Sequence, residues 1–94
     1  MADIVWKHQL SSEDEAFNKL VEMIKALAKG RSYELEQDSA KKHITMVIEA
    51  PLVGKVGGEL WIAGNQIMID LNCGWLAKSM AKSYLTEKLR ATFG

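Results

Sequence analysis

The chain has 94 residues, of which 48% are hydrophobic and 26% charged, and its 12 Lys and Arg balance its 12 Asp and Glu. The zero net charge excludes a strongly basic nucleic-acid-binding domain and an acidic tail protein. One Pro and seven Gly exclude a low-complexity chain, and the length predicts a single domain over residues 1–94.

A short strand and a long helix come first in the predicted fold. Residues 3–9 contain β-branched residues and a Trp, which favours a short edge strand. Ser12 and Glu15 have the spacing of a capping box, and Gly30 is a natural residue to follow a helix that we predict over residues 12–29. The apolar stripe of this helix consists of Phe17, Leu20, Val21, Ile24, Leu27 and Ala28. We expect Leu20 and Ile24 to be buried against Leu60 or Ile69 of the sheet.

Four more strands are predicted in the middle of the chain. Residues 31–36 and 43–49 alternate between apolar and polar side chains, with a polar turn at residues 37–41. Residues 50–54, which contain Pro51, break the alternation. Strands at residues 55–63 and 66–72 then flank Gly64 and Asn65, a pair typical of a two-residue hairpin turn of type I′ or II′. Gly57 and Gly58 are predicted to allow a bulge or tight curvature.

The hairpin turn predicts a register. It pairs Ile62 with Ile67, Leu60 with Ile69 and Gly58 with Leu71 on the core face, and Trp61 with Met68 and Glu59 with Asp70 on the opposite face. A shift by one residue would bury both carboxylates, which argues against any other register.

A second helix is predicted over residues 74–92. Its apolar residues are Trp75, Leu76, Met80, Tyr84, Leu85 and Leu89, and its basic residues include Lys78 and Lys82. The complete order is β-α-β-β-β-β-α. We therefore expect an α+β fold in which an antiparallel sheet carries both helices on one face.

The cellular setting is predicted from the cysteine count and the apolar runs. Cys73 is the single cysteine, so no disulfide can form within the chain, whereas small secreted domains usually carry several. The first residues show no signal-peptide pattern, and the longest apolar runs fall far short of the ~20 residues that span a bilayer. We expect a cytoplasmic protein without a transmembrane segment.

The sequence contains few residues that could carry catalysis or hold a metal. His8, His43 and Cys73 belong to three different predicted elements, without the short spacings of zinc sites. We interpret the histidines as partly exposed strand residues and Cys73 as a small apolar residue. We therefore expect no metal, no cofactor and no enzymatic activity.

Two features indicate binding. Trp61 and Met68, together with Val47, are expected to form an apolar patch on the sheet face away from the helices, which predicts a homodimer or another partner anchored on Trp61. The second helix is the other candidate, because Trp75, Lys78, Lys82 and Tyr84 are typical of a basic amphipathic surface-binding helix. A core helix with a solvated lysine face, whose apolar stripe is fully covered by the sheet, is the simpler interpretation.

Several short motifs resemble a known family. They are His8-Gln9-Leu10 after the first strand, the acidic helix start from Glu13 to Ala16, the hairpin from Gly57-Gly58-Glu59-Leu60 to Leu71, Gly74-Trp75-Leu76 before the last helix, and Phe93 at its end. Nearly end to end, this pattern resembles the small bacterial polyhydroxyalkanoic acid system proteins. The resemblance implies a non-catalytic accessory protein that acts at the surface of polyester storage granules.

The layout also looks like a miniature helix-grip domain, in which a curved antiparallel sheet wraps a long C-terminal helix. Larger members of that class hold apolar ligands between helix and sheet. This likeness implies an alternative function as a small carrier. Its cavity would lie between the last helix and the core face of Leu60, Ile62, Ile67 and Ile69.

Overall fold

This computed structural model describes residues 2–50 and 54–94. Its elements in chain order are β1 (Ile4–Lys7), α1 (Glu13–Ala28), β2 (Tyr33–Asp38), β3 (His43–Ala50), β4 (Gly54–Ala63), β5 (Gln66–Asn72) and α2 (Trp75–Phe93). The predicted order and the α+β class are confirmed. The predicted interruption at Pro51 lies outside the described residues.

The five strands form one antiparallel sheet in the order β1-β5-β4-β3-β2. β1 lies at an edge, as its short length predicts, and β2 forms the other edge. Every predicted pair of the β4–β5 hairpin is confirmed, including Trp61 with Met68 and Glu59 with Asp70. At the turn, Gly64 has a φ of 63° and Asn65 has no positive φ. A positive φ at the first central residue alone is the pattern of a type II′ turn.

Helix α1 begins with the predicted cap. The hydroxyl of Ser12 accepts a hydrogen bond from the backbone N–H of Glu15 at 3.1 Å. Two further side chains of the first turn tie the helix to one end of the sheet. The Glu13 carboxylate accepts from the backbone N–H of Gly64 at 2.8 Å, and Asp14 lies 2.8 Å from the ammonium of Lys42. The start of the helix is therefore held beside two strand-connecting turns.

Both helices cover the same face of the sheet, which we call the inner face. Its side chains form the core: Ile44, Met46, Ile48, Val56, Leu60, Ile62, Ile67, Ile69 and Leu71 are all buried. Leu20 and Ile24 of α1 are fully buried, as predicted, and α1 packs on β4. The opposite side of the sheet, the outer face, is covered by no element among the described residues.

Helix α2 is held along one side, towards β1. The Lys78 ammonium lies 3.5 Å from the Asp3 carboxylate. Near the other end of the helix, the Arg90 guanidinium lies 6.0 Å from the centre of the Trp6 ring, and Lys19 of α1 lies 6.0 Å from the Phe93 ring. The last turns of α2 therefore contact both β1 and α1.

The prediction that the sheet covers the whole apolar stripe of α2 is wrong. Leu85 and Leu89 are buried, but Trp75 is 82% exposed, Leu76 59% and Met80 52%. For Leu76 and Met80 the reason is geometric: they lie nine positions before Leu85 and Leu89, which at about 100° per residue places the two pairs on opposite sides of a helix. Only one of these two sides can contact the core.

The glycine pair in β4 does not form a bulge. The pairing with β3 runs without an inserted residue through Val47–Gly57 and Met46–Gly58, and the pairing with β5 is equally continuous. A Cβ at Gly58 would lie 3.2 Å from the carbonyl oxygen of Asp70 and 3.4 Å from the Met46 side chain. Gly58 therefore serves close packing rather than an irregular strand.

The expectation that His8 is a partly exposed strand residue is wrong. His8 follows β1 and is buried, with only 4% of its surface exposed. Its ring Nε2 lies 2.9 Å from the carbonyl oxygen of Gly64, and its Nδ1 accepts a hydrogen bond from the backbone N–H of Leu10 at 3.2 Å. Both ring nitrogens are satisfied, which explains how an imidazole is tolerated there.

Candidate binding site

An open groove separates the first half of α2 from the inner face of the sheet. We call it the helix groove; its volume is about 590 Å³. It is bounded by Leu27 and Arg31 at the end of α1, by Met46, Ile48 and Val56 of the sheet, and by Ala77, Ser79, Met80, Ala81, Ser83, Tyr84, Leu85 and Glu87 of α2. The lining is mostly apolar, with four polar residues: Arg31, Ser79, Ser83 and Glu87.

The groove exists because the two helices are anchored away from this end of the sheet. The contact of Lys19 with the Phe93 ring joins the middle of α1 to the end of α2. The end of α1 and the start of α2 instead line opposite sides of the groove, with Met46, Ile48 and Val56 between them. Tyr33, at the start of the edge strand β2, is also exposed. The inner face is thus wider than the two helices cover.

The helix groove is not where the sequence places a cavity. Leu60, Ile62, Ile67 and Ile69 are buried, and none of them lines it. They lie where the helices cover the sheet. The open part of the inner face is the region of Met46, Ile48 and Val56.

The four candidate residues of α2 divide between two sides of the helix. Tyr84 lines the helix groove, and the Lys88 ammonium lies 5.4 Å from the centre of its ring. Trp75, Lys78 and Lys82 line a shallow depression that also includes Ser79 and Ser83. Lys78 is in addition paired with Asp3, which leaves Trp75 and Lys82 as the more exposed pair.

On the outer face, only two of the three predicted patch residues lie together. Trp61 and Met68 are direct neighbours and both are half-buried, but Val47 pairs with Gly57, four residues along β4 from Trp61. Four residues of a strand span about 13 Å, so Val47 does not join the patch. Val5 of β1, which is 51% exposed, pairs with Met68 instead.

His43 is the neighbour of Trp61 that sequence reasoning missed. The two rings are stacked, with centroids 6.2 Å apart and an angle of 19° between their planes. The His43 Nε2 also lies 3.9 Å from the Glu59 carboxylate. The register between β3 and β4 creates this contact, since it pairs His43 directly with Trp61.

The structure separates the residues considered for metal binding or catalysis. His8 is buried behind β1, His43 lies on the outer face, and Cys73 packs half-buried against the core between β5 and α2. Within residues 2–50 and 54–94, no three His, Cys, Asp or Glu side chains are grouped as a metal ion would require. None of the helices described here is long and apolar enough to cross a membrane.

The groove residues on the sheet and on α1 were missed as site residues. Met46, Ile48 and Val56 have the alternation of core positions, which sequence cannot distinguish from the wall of a groove. One sequence signal does indicate that α2 is only partly covered by the sheet. Leu76 and Met80 lie nine positions before Leu85 and Leu89, and so on the opposite side of α2.

No family model, no curated protein and no solved structure matches this chain.

Proposed function

We propose that this chain is a non-catalytic binding protein that holds an apolar small molecule in the helix groove. The observation that carries the proposal is the open apolar lining between α2 and the inner face. Folding normally covers such a surface, because each Å² of apolar area removed from water contributes about 25 cal/mol. A ligand that covers Met80 and Tyr84 would gain this free energy.

The dimensions of the groove support a small molecule as its occupant. Small-molecule sites commonly have volumes of roughly 300–1,000 Å³ and apolar walls with a few polar groups, and the helix groove has about 590 Å³. It is open along one side, which suits an elongated ligand. The two serine hydroxyls on α2, Ser79 and Ser83, provide hydrogen bonds at the rim. Among the described residues that line it there is neither His nor Cys, which supports binding rather than nucleophilic catalysis.

The neutral fluorescent dye Nile red tests this function. We expect its emission to rise with the wild-type protein and to fall again when palmitate displaces it. Ala81 lines the groove and is half-buried, whereas Ala91 on the same helix is exposed and outside it. Ala81→Trp should fill the groove and weaken dye binding at least tenfold, and Ala91→Trp should bind as the wild type does. Absence of dye binding by the wild type, or equal binding by both variants, would contradict the proposal.

The exposed start of α2 favours a second candidate function at polyester granules. Trp75 presents apolar surface beside Lys82, and Leu76 and Met80 are exposed on the neighbouring turns of the helix. Exposed aromatic and aliphatic residues next to lysine suit adsorption to an apolar surface with anionic groups. We propose this role because the exposed surface of α2 suits the granule-associated function that the family resemblance implies.

Co-sedimentation with purified polyhydroxyalkanoate granules tests the second candidate. Wild-type protein should pellet with the granules, and Trp75→Ser should remain largely in the supernatant. Ser83→Ala, a change on the same surface that removes no apolar area, is the control. Wild-type protein that stays in the supernatant at both low and high salt would exclude the granule role.

We propose a cytoplasmic setting for either role, supported by the single Cys73. We also propose that the chain self-associates through the outer face, supported by the uncovered patch of Trp61 and Met68.

A further inference from the structure

The outer face combines an apolar centre with a strongly acidic surround. Strand pairing places Val5, Met68, Trp61 and His43 in one row across β1, β5, β4 and β3. The same face carries six described carboxylates: Glu34, Glu36, Asp38, Glu49, Glu59 and Asp70. The basic residues Lys7 and Lys55 also lie on this face. The face is therefore acidic although the chain as a whole is neutral.

This charge distribution disfavours a dimer in which two outer faces meet. In a two-fold dimer the same patch contacts its own copy, so Glu59 and Asp70 would approach the same carboxylates of the partner. Like charges brought together at an interface repel each other and disfavour association. The patch around Trp61 instead fits a partner that is apolar and basic.

The chain itself presents such a surface at the start of α2. There, Trp75 and Leu76 are exposed, and Lys82 lies beside Trp75. From Trp75 to Lys82, which line the same side of α2, the helix rises about 10.5 Å, at 1.5 Å per residue. The outer-face row from Val5 to His43 crosses three strand spacings, about 14 Å, and is long enough to hold this segment of the helix. The two surfaces match in apolar character and in opposite charge.

We propose that the outer face of one copy binds the start of α2 of a second copy. Trp61 and Trp75 are the apolar anchors, and Lys82 lies against the acidic row of Glu59 and Asp70. The two surfaces lie on opposite sides of the molecule, since α2 covers the inner face. The contact is therefore head-to-tail, and each bound copy leaves one free surface of each kind.

Head-to-tail binding predicts a distinctive response to concentration and salt. Association should continue beyond dimers as the protein concentration rises, because free surfaces remain at both ends. It should weaken at high salt, because counterions screen the attraction between opposite charges. An outer-face-to-outer-face dimer would stop at two copies and would strengthen with salt.

Mixing two variants tests the proposal by sedimentation velocity. Trp61→Ser retains the α2 surface but lacks the outer-face anchor, and Trp75→Ser retains the outer face but lacks the α2 anchor. Neither variant should therefore associate with itself. Each loss of an anchor should raise the dissociation constant about 30-fold or more. Mixed together, they should form a one-to-one dimer that grows no further. Circular dichroism and thermal unfolding verify that both variants are folded.

A charge exchange gives an independent measurement. Lys82→Glu and Glu59→Lys should each weaken association, and the double variant should restore it. Lys25→Glu, which changes the same charge on an exposed position of α1, should leave association unchanged.

Three results would overturn the head-to-tail proposal. One is wild-type protein that stays monomeric at millimolar concentration in low salt. Another is a mixture of Trp61→Ser and Trp75→Ser that yields no dimer. The last is an association that strengthens with salt and is abolished by Trp61→Ser but not by Trp75→Ser. That result would identify a dimer in which two outer faces meet.

Discussion

The imidazole of His8 bonds to the backbone carbonyl of Gly64, 56 positions later in the chain, at 2.9 Å. The backbone N–H of Leu10 donates to the Nδ1 of the same ring, so Nε2 carries the proton and donates to Gly64. The ring thereby joins the end of β1 to the β4–β5 turn. A second side chain, that of Glu13, accepts from the N–H of Gly64 and secures the turn from the other side.

We expect His8→Ala to destabilise the protein by about 2–3 kcal/mol. Each lost hydrogen bond costs about 1 kcal/mol, and the missing ring leaves a cavity. Urea denaturation measures the change. His8→Gln keeps a donor for Gly64 and should lose less, so equal losses in the two variants would contradict a role for this bond. Nitrogen chemical shifts should in addition report the Nε2-protonated tautomer.

Two leucines of α2 should respond differently to truncation. Leu89 is fully buried, and Leu89→Ala should cost about 2–5 kcal/mol of unfolding free energy. Leu76 is exposed, and Leu76→Ala should change stability by less than about 0.5 kcal/mol. Thermal or urea unfolding measures the loss of unfolding free energy in each variant, and both variants carry the same leucine-to-alanine change on one helix. Similar losses would mean that α2 packs with a different side against the sheet.

Adjacent glycines of β4 provide a second matched pair. Gly58→Ala places a Cβ 3.2 Å from the backbone oxygen of Asp70, so we expect a loss of about 1–3 kcal/mol. For Gly57→Ala the nearest atom is the carbonyl oxygen of Asn72 at 3.4 Å. This variant should be close to neutral, because alanine loses less conformational entropy on folding than glycine. A Gly57→Ala variant less stable than Gly58→Ala would contradict the close packing at Gly58.

The Asp3 carboxylate should make stability depend on acidic pH. A hydrogen bond from the backbone N–H of Leu71 at 2.8 Å lowers the pKa of Asp3 below its ordinary value of 3.8. The charge of Lys78 also lowers this pKa, whereas burial raises it. Because the folded state favours the ionised form, Asp3 stabilises the fold above pH 3.8, and this contribution is lost as the pH falls through the folded-state pKa.

Asp3→Asn tests this linkage. The variant should be less stable than the wild type near neutral pH, and the difference should shrink as the pH falls below 3.8. Glu22→Gln removes an exposed carboxylate of α1 and should show no such convergence. A difference between Asp3→Asn and the wild type that stays constant down to the acid transition would show that the charge of Asp3 has no role.

The elements of this protein and the β4–β5 register follow from its sequence. A two-residue turn at Gly64 permits few alignments, and a shift by one residue would bury Glu59 and Asp70, so the pairing of Trp61 with Met68 was determined. Helix α1 was equally determined, because Ser12 marks its start and its apolar residues recur at helical spacing.

The tertiary structure alone decided which of these elements form surfaces together. The sequence pattern does not set the register between β3 and β4. Only the structure therefore shows that His43, and not Val47, lies beside Trp61. The helix groove depends on the angle at which α1 and α2 cross the sheet, and side-chain packing sets that angle. Alternation marks Met46, Ile48 and Val56 as inward-facing, but it cannot show whether a helix covers them.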